Sequence, residues 1–380
     1  MSPNVPTRRA LYVSAFLPDE SAPHAGGQAA FQNRKDLTLA GYEVTTVICT
    51  TEAAPGSANE HRTIVFRQTR ASALGGYLVN FLTGRTEGLL AWPVLDTRAN
   101  IAFERTLRLE LAHGGYELVF ADFTQVLLPI ARAMAGLLER PRSCCCAHDL
   151  FVQKLLRSAS VIARVLTGPV VRAERALLSQ FDEVITLSKK DQLIAEKLYD
   201  LPCVRVRPWT PPEWTFAINR LPERIRTAEL LFFANFNRPE NAEAVAWLLQ
   251  LAWPAIKHAV PCATLVLGGA GSDQVALPNG TKGVRHTGYV ANPKDLFECC
   301  EFAIAPLALG AGVKFKVLEA IASGVSVVGT KVALEGIEMG PLTVEATRSC
   351  FADTVISLLN QRLDCKPVSR QKIAPLPVSG

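Results

Sequence analysis

The sequence predicts an α/β protein made of two Rossmann-like βαβ domains that face each other across a cleft. Three observations predict it. Short apolar runs alternate with helical spacings along nearly the whole chain, glycine-containing loops lead from strands into helices, and one proline-rich stretch interrupts the alternation. At about 150 residues per domain, 380 residues make two domains, each large enough to bury a core.

The first domain opens with the apolar run Ala10–Phe16 and the loop His24-Ala25-Gly26-Gly27-Gln28. A helix over Ala29–Ala40, stopped by Gly41, and a strand at Glu43–Thr50 follow, so the strands are parallel. Strands are expected at Thr63–Phe66, Leu118–Ala121, Ser143–Ala147, Glu183–Leu187 and Val204–Val206. Helices are expected at Thr97–Leu111, Gln125–Leu138, Lys189–Tyr199 and Arg157–Gln180, the last broken at Gly168-Pro169.

Pro208, Pro211, Pro212 and Pro222 mark residues 208–227 as a linker after a first domain of residues 1–207. The second domain, residues 228–365, has strands at Glu229–Phe233, Thr264–Leu267, Val284–Thr287, Phe302–Ala305 and Ser326–Gly329. Its helices are Asn241–His258 with Asn241 as N-cap, Pro293–Cys300, Val313–Ser323 and Asp353–Gln361. Residues 366–380 form a loose tail.

Composition excludes several classes. At 49% apolar and 20% charged residues the chain is not a disordered one. No run reaches the roughly 18 apolar residues of a membrane span, and Ala10–Phe16 is too short for a signal peptide. The net charge of +5 is weak for a nucleic-acid binder and fits an anionic ligand or membrane surface. The ten cysteines include the runs Cys144–Cys146 and Cys299-Cys300, which read as buried small hydrophobes in a reducing, cytoplasmic setting; no paired CxxC suggests zinc.

In such folds ligands bind beyond the carboxyl ends of the strands. The strongest segment there runs from Ala305 to Ala320. Gly310 and Gly312 let backbone amides approach an anion, the following helix offers free N–H groups, and Lys314 and Lys316 add charge. Lys316, Glu319 and Ser323 share one helix face, so Glu319 is placed to accept hydrogen bonds from ribose hydroxyls. Alone, a KxxE pair is an exposed ion pair on a surface helix; the strand–loop–helix context favours the ligand reading.

Weaker signals accompany it. Gly26-Gly27 before a helix is either an anion loop or a tight turn, and it is not a dinucleotide fingerprint. His148, after a central strand, either contacts substrate or is a satisfied histidine, with Asp149 to fix its tautomer or cap the next segment. Arg238 either reaches a phosphate or lies on the surface, and Glu174 reads as a helix salt bridge. From Arg62 to Arg108, seven arginines stand against three acids and mix with apolar pieces such as Gly76–Leu82 and Leu89–Trp92. Lys154–Arg175 likewise carries a net +4. Both suit an anionic membrane surface or a lipid-linked acceptor, and equally a solvated helix face.

Taken together, ALYVSAFLPD, HAGGQ, GYEVTTV, the AHD at 147–149, Glu174 with FDEVITLSKKD, LLFFANFNRPENAEAVAWL and IAPLALGAGVKFKVLEAIASGVSVVGTKVALEGI resemble the retaining GT-B-fold glycosyltransferases of group 1, or family 4. The pieces stand in family order to about Asn360, and the last is the most specific.

The resemblance implies a hexosyltransferase that takes a nucleotide-sugar donor in the second domain and holds a glycan, lipid-linked or small-molecule acceptor in the first. Anomeric configuration is retained, and neither a metal nor another cofactor is required. Gly26-Gly27 would approach the donor phosphates and His148 the donor sugar. Lys316, with Lys314 or Arg238, would neutralise the diphosphate, and Glu319 would hold the ribose. The cysteine runs, the modest charge and the basic, apolar stretches together suggest a cytoplasmic protein with peripheral contact at the inner membrane face and no nucleic-acid partner. Two features depart from the family. Ala311 stands where a glutamate is frequent, a trait shared by a subgroup with a G-x-G-V-K pattern, so that sugar contacts would fall to amides around Gly310–Gly312. Ala234-Asn235 stands in place of Gly-Arg. The alternatives are a sugar-nucleotide epimerase of the same fold and a non-catalytic nucleotide-sugar-binding protein.

Overall fold

The computed structural model describes residues 8–20, 22, 25–51, 62–83, 95, 97–157, 161–211, 215–216, 228–290 and 292–363. The chain divides into two units. The first comprises Met1–Thr210 with Leu309–Phe315 and Leu334–Glu338; the second comprises Pro211–Ala308, Lys316–Ala333 and Met339–Gly380.

The first unit is built on strands β1 (Arg9–Ser14), β2 (Glu43–Thr50), β3 (Thr63–Arg67), β4 (Leu118–Asp122), β5 (Arg142–Ala147), β6 (Glu183–Thr186) and β7 (Val204–Val206). They pair in parallel in the order β3-β2-β1-β4-β5-β6-β7. Five of the six β1 residues and all five of β4 are buried, as expected of central strands covered on both sides. Chain order reverses between β1 and β4, and in open sheets that crevice is where ligands bind.

The helices of this unit are α1 (Ala25–Leu39), α2 (Arg70–Leu82), α3 (Ile101–His113), α4 (Leu127–Met134), α5 (Phe151–Arg157), α6 (Val161–Leu178) and α7 (Lys189–Lys197). Local side chains cap several of them: Thr69 and Ser72 form a capping box on α2, Asn100 caps α3 and Ser188 caps α7.

The second unit is a six-stranded parallel sheet, β10-β9-β8-β11-β12-β13. Its strands are β8 (Glu229–Phe233), β9 (Thr264–Gly268), β10 (Val284–His286), β11 (Phe302–Ala305), β12 (Ser326–Gly329) and β13 (Thr343–Glu345). Helices α8 (Pro239–Trp247), α9 (Trp253–Ala259), α10 (Lys294–Cys299), α11 (Phe315–Ala322) and α12 (Phe351–Leu363) complete it, α11 beginning at the last residue of the first unit's loop. Trp253, Phe232, Phe297, Phe302 and Phe351 are fully buried, each contributing roughly 2–3 kcal/mol by burial. Chain order reverses here between β8 and β11, so Phe233 and Ala305 mark the ligand end.

Several expectations are corrected. α6 runs unbroken through Pro169, because a single lost backbone bond costs less than giving up the helix's packing on α5. Asn241 does not cap a helix: Arg238 is the N-cap residue and Pro239 the first helical position. The expected Asn241–His258 helix contains a wide π turn at Leu248–Ala252, just before Pro254, which has no N–H to donate. α11 begins at Phe315 rather than Val313, since Gly312 holds a left-handed φ of 70° immediately before it. α2 and the three-residue edge strand β13 were not expected. Cys144, Cys145, Cys146 and Cys300 are buried as expected, but Cys299 is exposed. Leu89–Trp92, most of the linker and the tail lie outside the described residues.

Candidate active site

The carboxyl ends of β4 and β5 in the first unit bring Asp122 and His148 together. Neighbouring strands pair Asp122 with Cys146, so His148 emerges one turn of chain away from the carboxylate. His148 Nε2 lies 2.8 Å from Asp122 Oδ1. The same carboxylate accepts from the Asn33 amide at 3.0 Å and from the Tyr12 hydroxyl. Burial works to lower the His148 pKa, but its interactions with Cys146 and Asp122 outweigh it and raise it to about 10. Asp149 does not set its tautomer: it pairs with Lys154 at 2.5 Å, and Asp122, which the sequence reading passed over, takes that role.

Asp122, Cys146 and His148 are also the one group among the described residues whose potential metal-ligand atoms all lie within 4.8 Å of one another. The Asp122 oxygens already accept from three side chains, so the group reads as a hydrogen-bond chain.

A stack of rings fixes the imidazole. Phe123 lies against His148 with centroids 3.8 Å apart and planes 14° from parallel. To do so it holds φ 75° and ψ 145°, a region that side-chain-bearing residues occupy only under constraint. Phe16 packs edge-on against Phe123, centroids 4.7 Å apart. A Cβ on Gly26 would come within 3.1 Å of the Phe16 ring. Gly26 thus keeps room for Phe16, and both Gly26 and Gly27 lie inside the first turn of α1, not in the loop before it.

The segment Leu309–Phe315 belongs to this first unit. Gly312 passes so close to β5's exit loop that a Cβ would meet the His148 carbonyl oxygen at 2.8 Å. With its positive φ, no other residue fits there. Arg157 donates to the Gly310 carbonyl and, with Lys190, to the half-buried Glu335. Burial pushes Glu335 upward, but the bonds from Arg157 and Lys190 bring it below its ordinary value. Lys314 folds back onto the carbonyls of Ala311 (3.1 Å) and Gly312 (2.5 Å), and burial lowers it to about 8, partly opposed by Glu335.

In the second unit, α11 carries Lys316 and Glu319. Lys316 Nζ donates to Asn241 Oδ1 at 2.9 Å and sits 5.2 Å from the Phe232 ring centroid. Asn241 is buried, and its own amide donates to the Asn235 carbonyl at 2.8 Å, which fixes its orientation. Glu319 is only 6% exposed. Burial raises it to about 7, the charge of Lys316 opposing. Ser323, in the turn just past α11, is buried, and its hydroxyl donates to the Glu319 backbone carbonyl.

Two other sequence candidates take structural places. Arg238 is mostly exposed and pairs with Glu240 at 2.9 Å. Glu174 is no surface salt bridge; its buried carboxylate accepts from the backbone N–H groups of Phe151 (2.8 Å) and Val152 (3.3 Å) and from the Tyr199 hydroxyl, capping α5.

Residues 227–361 match the family described as Glycosyl transferases group 1. No curated protein matches the chain in sequence. Among solved structures, sucrose-phosphate synthase from Thermosynechococcus elongatus is similar at a TM-score of 0.61 and 17% identity, over 94% of this chain and 90% of that one. The trehalose 6-phosphate synthase of Burkholderia multivorans has a TM-score of 0.61 and 14% identity, over 95% and 91%. Anabaena HepE, solved in complex with UDP and glucose, has 0.57 and 15%, over 94% and 90%. Residues 227–361 thus match the Glycosyl transferases group 1 model, and the chain has the two-domain GT-B fold of these structures.

Proposed function

We propose that this protein is a glycosyltransferase that moves a sugar from a nucleotide-sugar donor to a glycan, lipid-linked or small-molecule acceptor with retention of anomeric configuration, in the cytoplasm. One observation carries the donor reading. Glu319 is a buried carboxylate one turn beyond Lys316, whose charge opposes its burial, on the helix that follows β11. Ribose hydroxyls would supply hydrogen-bond donors to such a buried carboxylate.

In this reading Lys316 takes the diphosphate charge, with Lys314 and the amides of Gly310–Gly312 contributing. Lys316 is already oriented by Asn241. Arg238 is a further cation for the phosphates once it leaves Glu240. Gly26-Gly27 approach the phosphates from the start of α1, and the His148 imidazolium donates to the donor sugar. The bond from the anomeric carbon to the diphosphate oxygen breaks, the acceptor oxygen bonds to the same face, and its proton passes to the departing diphosphate oxygen. These cations stabilise the leaving group in place of a metal. UDP in the HepE complex supports a uridine nucleotide as the first donor to try.

The test is a panel of nucleotide sugars incubated with sugar and lipid-linked acceptors, read by mass spectrometry and by the anomeric proton coupling of the product. Transfer with the donor's configuration is expected. Interconversion of the nucleotide sugar without an acceptor, or binding with neither hydrolysis nor transfer, would overturn the proposal in favour of an epimerase or a binding protein.

A further inference from the structure

We propose that α2 is a docking surface for an anionic phospholipid bilayer. The helix presents Leu74, Leu78, Phe81 and Leu82 at 54%, 47%, 45% and 79% exposure. Their spacing of i, i+4, i+7 and i+8 places them on one face. The opposite side is closed against the protein: a Cβ on Gly76 would lie 2.6 Å from the Ala99 backbone. The apolar face therefore points away from the fold, and such patches on a folded protein mark interaction surfaces.

Charge identifies the partner. Between Arg62 and Thr83 the sequence holds three arginines and no acid. Arg67 and Arg70, at the start of the helix, are exposed. α3, packed against α2, repeats the pattern, with Ile101, Arg105 and Leu109 exposed at i, i+4 and i+8. An apolar stripe bordered by arginines and free of acids suits an anionic lipid surface, with leucines entering the acyl boundary and guanidinium groups at the phosphates. A helix of 13 residues spans about 20 Å, too short to cross a bilayer and suited to lying on it. Among the described residues no helix is long and apolar enough to cross a membrane. The inference does not rest on the proposed reaction, because docking is read without donor or acceptor.

The test is co-sedimentation of the full chain with phosphatidylcholine vesicles and with vesicles containing phosphatidylglycerol. The wild type is expected to bind the anionic vesicles and bind the neutral ones far more weakly. Arg67→Gln/Arg70→Gln should lose about 30-fold in affinity, at about 1 kcal/mol for each arginine near the surface. Leu78→Glu/Leu82→Glu should lose tenfold or more, with an unchanged melting temperature to show that the fold is intact. Equal binding by wild type and both variants, equal binding to neutral vesicles, or no binding at all would overturn the proposal. So would a wild-type dimer in solution that Leu78→Glu dissolves, since the face would then belong to a second copy.

Discussion

Replacing Glu319 with glutamine is expected to weaken nucleoside diphosphate binding by about a hundredfold and to abolish transfer, while the fold survives. Two charge-assisted bonds to ribose hydroxyls are worth roughly 3 kcal/mol together, and glutamine keeps the shape without the charge. The pH dependence gives a second readout. Burial raises the Glu319 carboxyl to about 7, so the free protein holds it largely protonated below that pH. Affinity should therefore rise as pH climbs from about 6 to 8, and the glutamine variant should show no such rise. Stability moves the opposite way. A folded pKa above the unfolded value means that the contribution is complete below about 4.5 and is lost as pH rises through about 7. Isothermal titration across this range checks affinity. An unchanged affinity in the variant would remove the ribose assignment.

The largest effect on stability is expected from Asp122→Ala. It strips one buried acceptor from Tyr12, Asn33 and His148 together. Breaking a buried charged network by removing one partner costs about 3–5 kcal/mol, on the order of 10 °C in melting temperature for a domain of this size. Asp122→Asn separates charge from shape. The His148 pKa, raised to about 10 in part by this carboxylate, should fall in the asparagine variant when followed by imidazole NMR. The sign follows from linkage. The pair's contribution is complete below about 6.5, the ordinary histidine value, and is lost as pH rises through about 10. Wild-type stability should thus decline from pH 7 to 10 more steeply than that of Asp122→Asn. A histidine pKa unchanged by Asp122→Asn would contradict the pairing.

Much of this architecture is legible in the sequence. ALYVS, EVTTVICT and LVFAD are apolar runs because central parallel strands are covered on both sides, and each forms the expected strand. The strand–loop–helix around Gly310–Glu319 is legible because positive φ at Gly310 and Gly312 demands glycine.

What escapes the sequence depends on contacts distant in the chain. Asp122 ends an apolar strand 26 residues before His148, and nothing local marks it as the histidine's partner. Asn241 has good N-cap chemistry, and only the position of α11, 75 residues on, shows that it holds Lys316 instead. Glu174 looks like a helix-surface acid until α6 packs it beneath the start of α5. That Gly26 packs against the ring of Phe16, which leaves little room for a side chain, is likewise visible only in the fold. One overlooked signal was local: Thr69 and Ser72 ahead of an apolar 3–4 spacing announce α2.

The central claim is that the helix after β11 binds the diphosphate and ribose of a nucleotide sugar. A thermal-shift titration of the wild type with ADP, GDP, UDP and their sugar conjugates, alongside Lys316→Ala/Glu319→Gln, tests it most directly. A ligand at 100 times its Kd adds about 2.7 kcal/mol, roughly 5–10 °C for a domain of this size. At least one nucleoside diphosphate should raise the wild-type melting temperature by that much and leave the double variant unmoved. No shift with any nucleotide, or an equal shift in both proteins, would contradict the account.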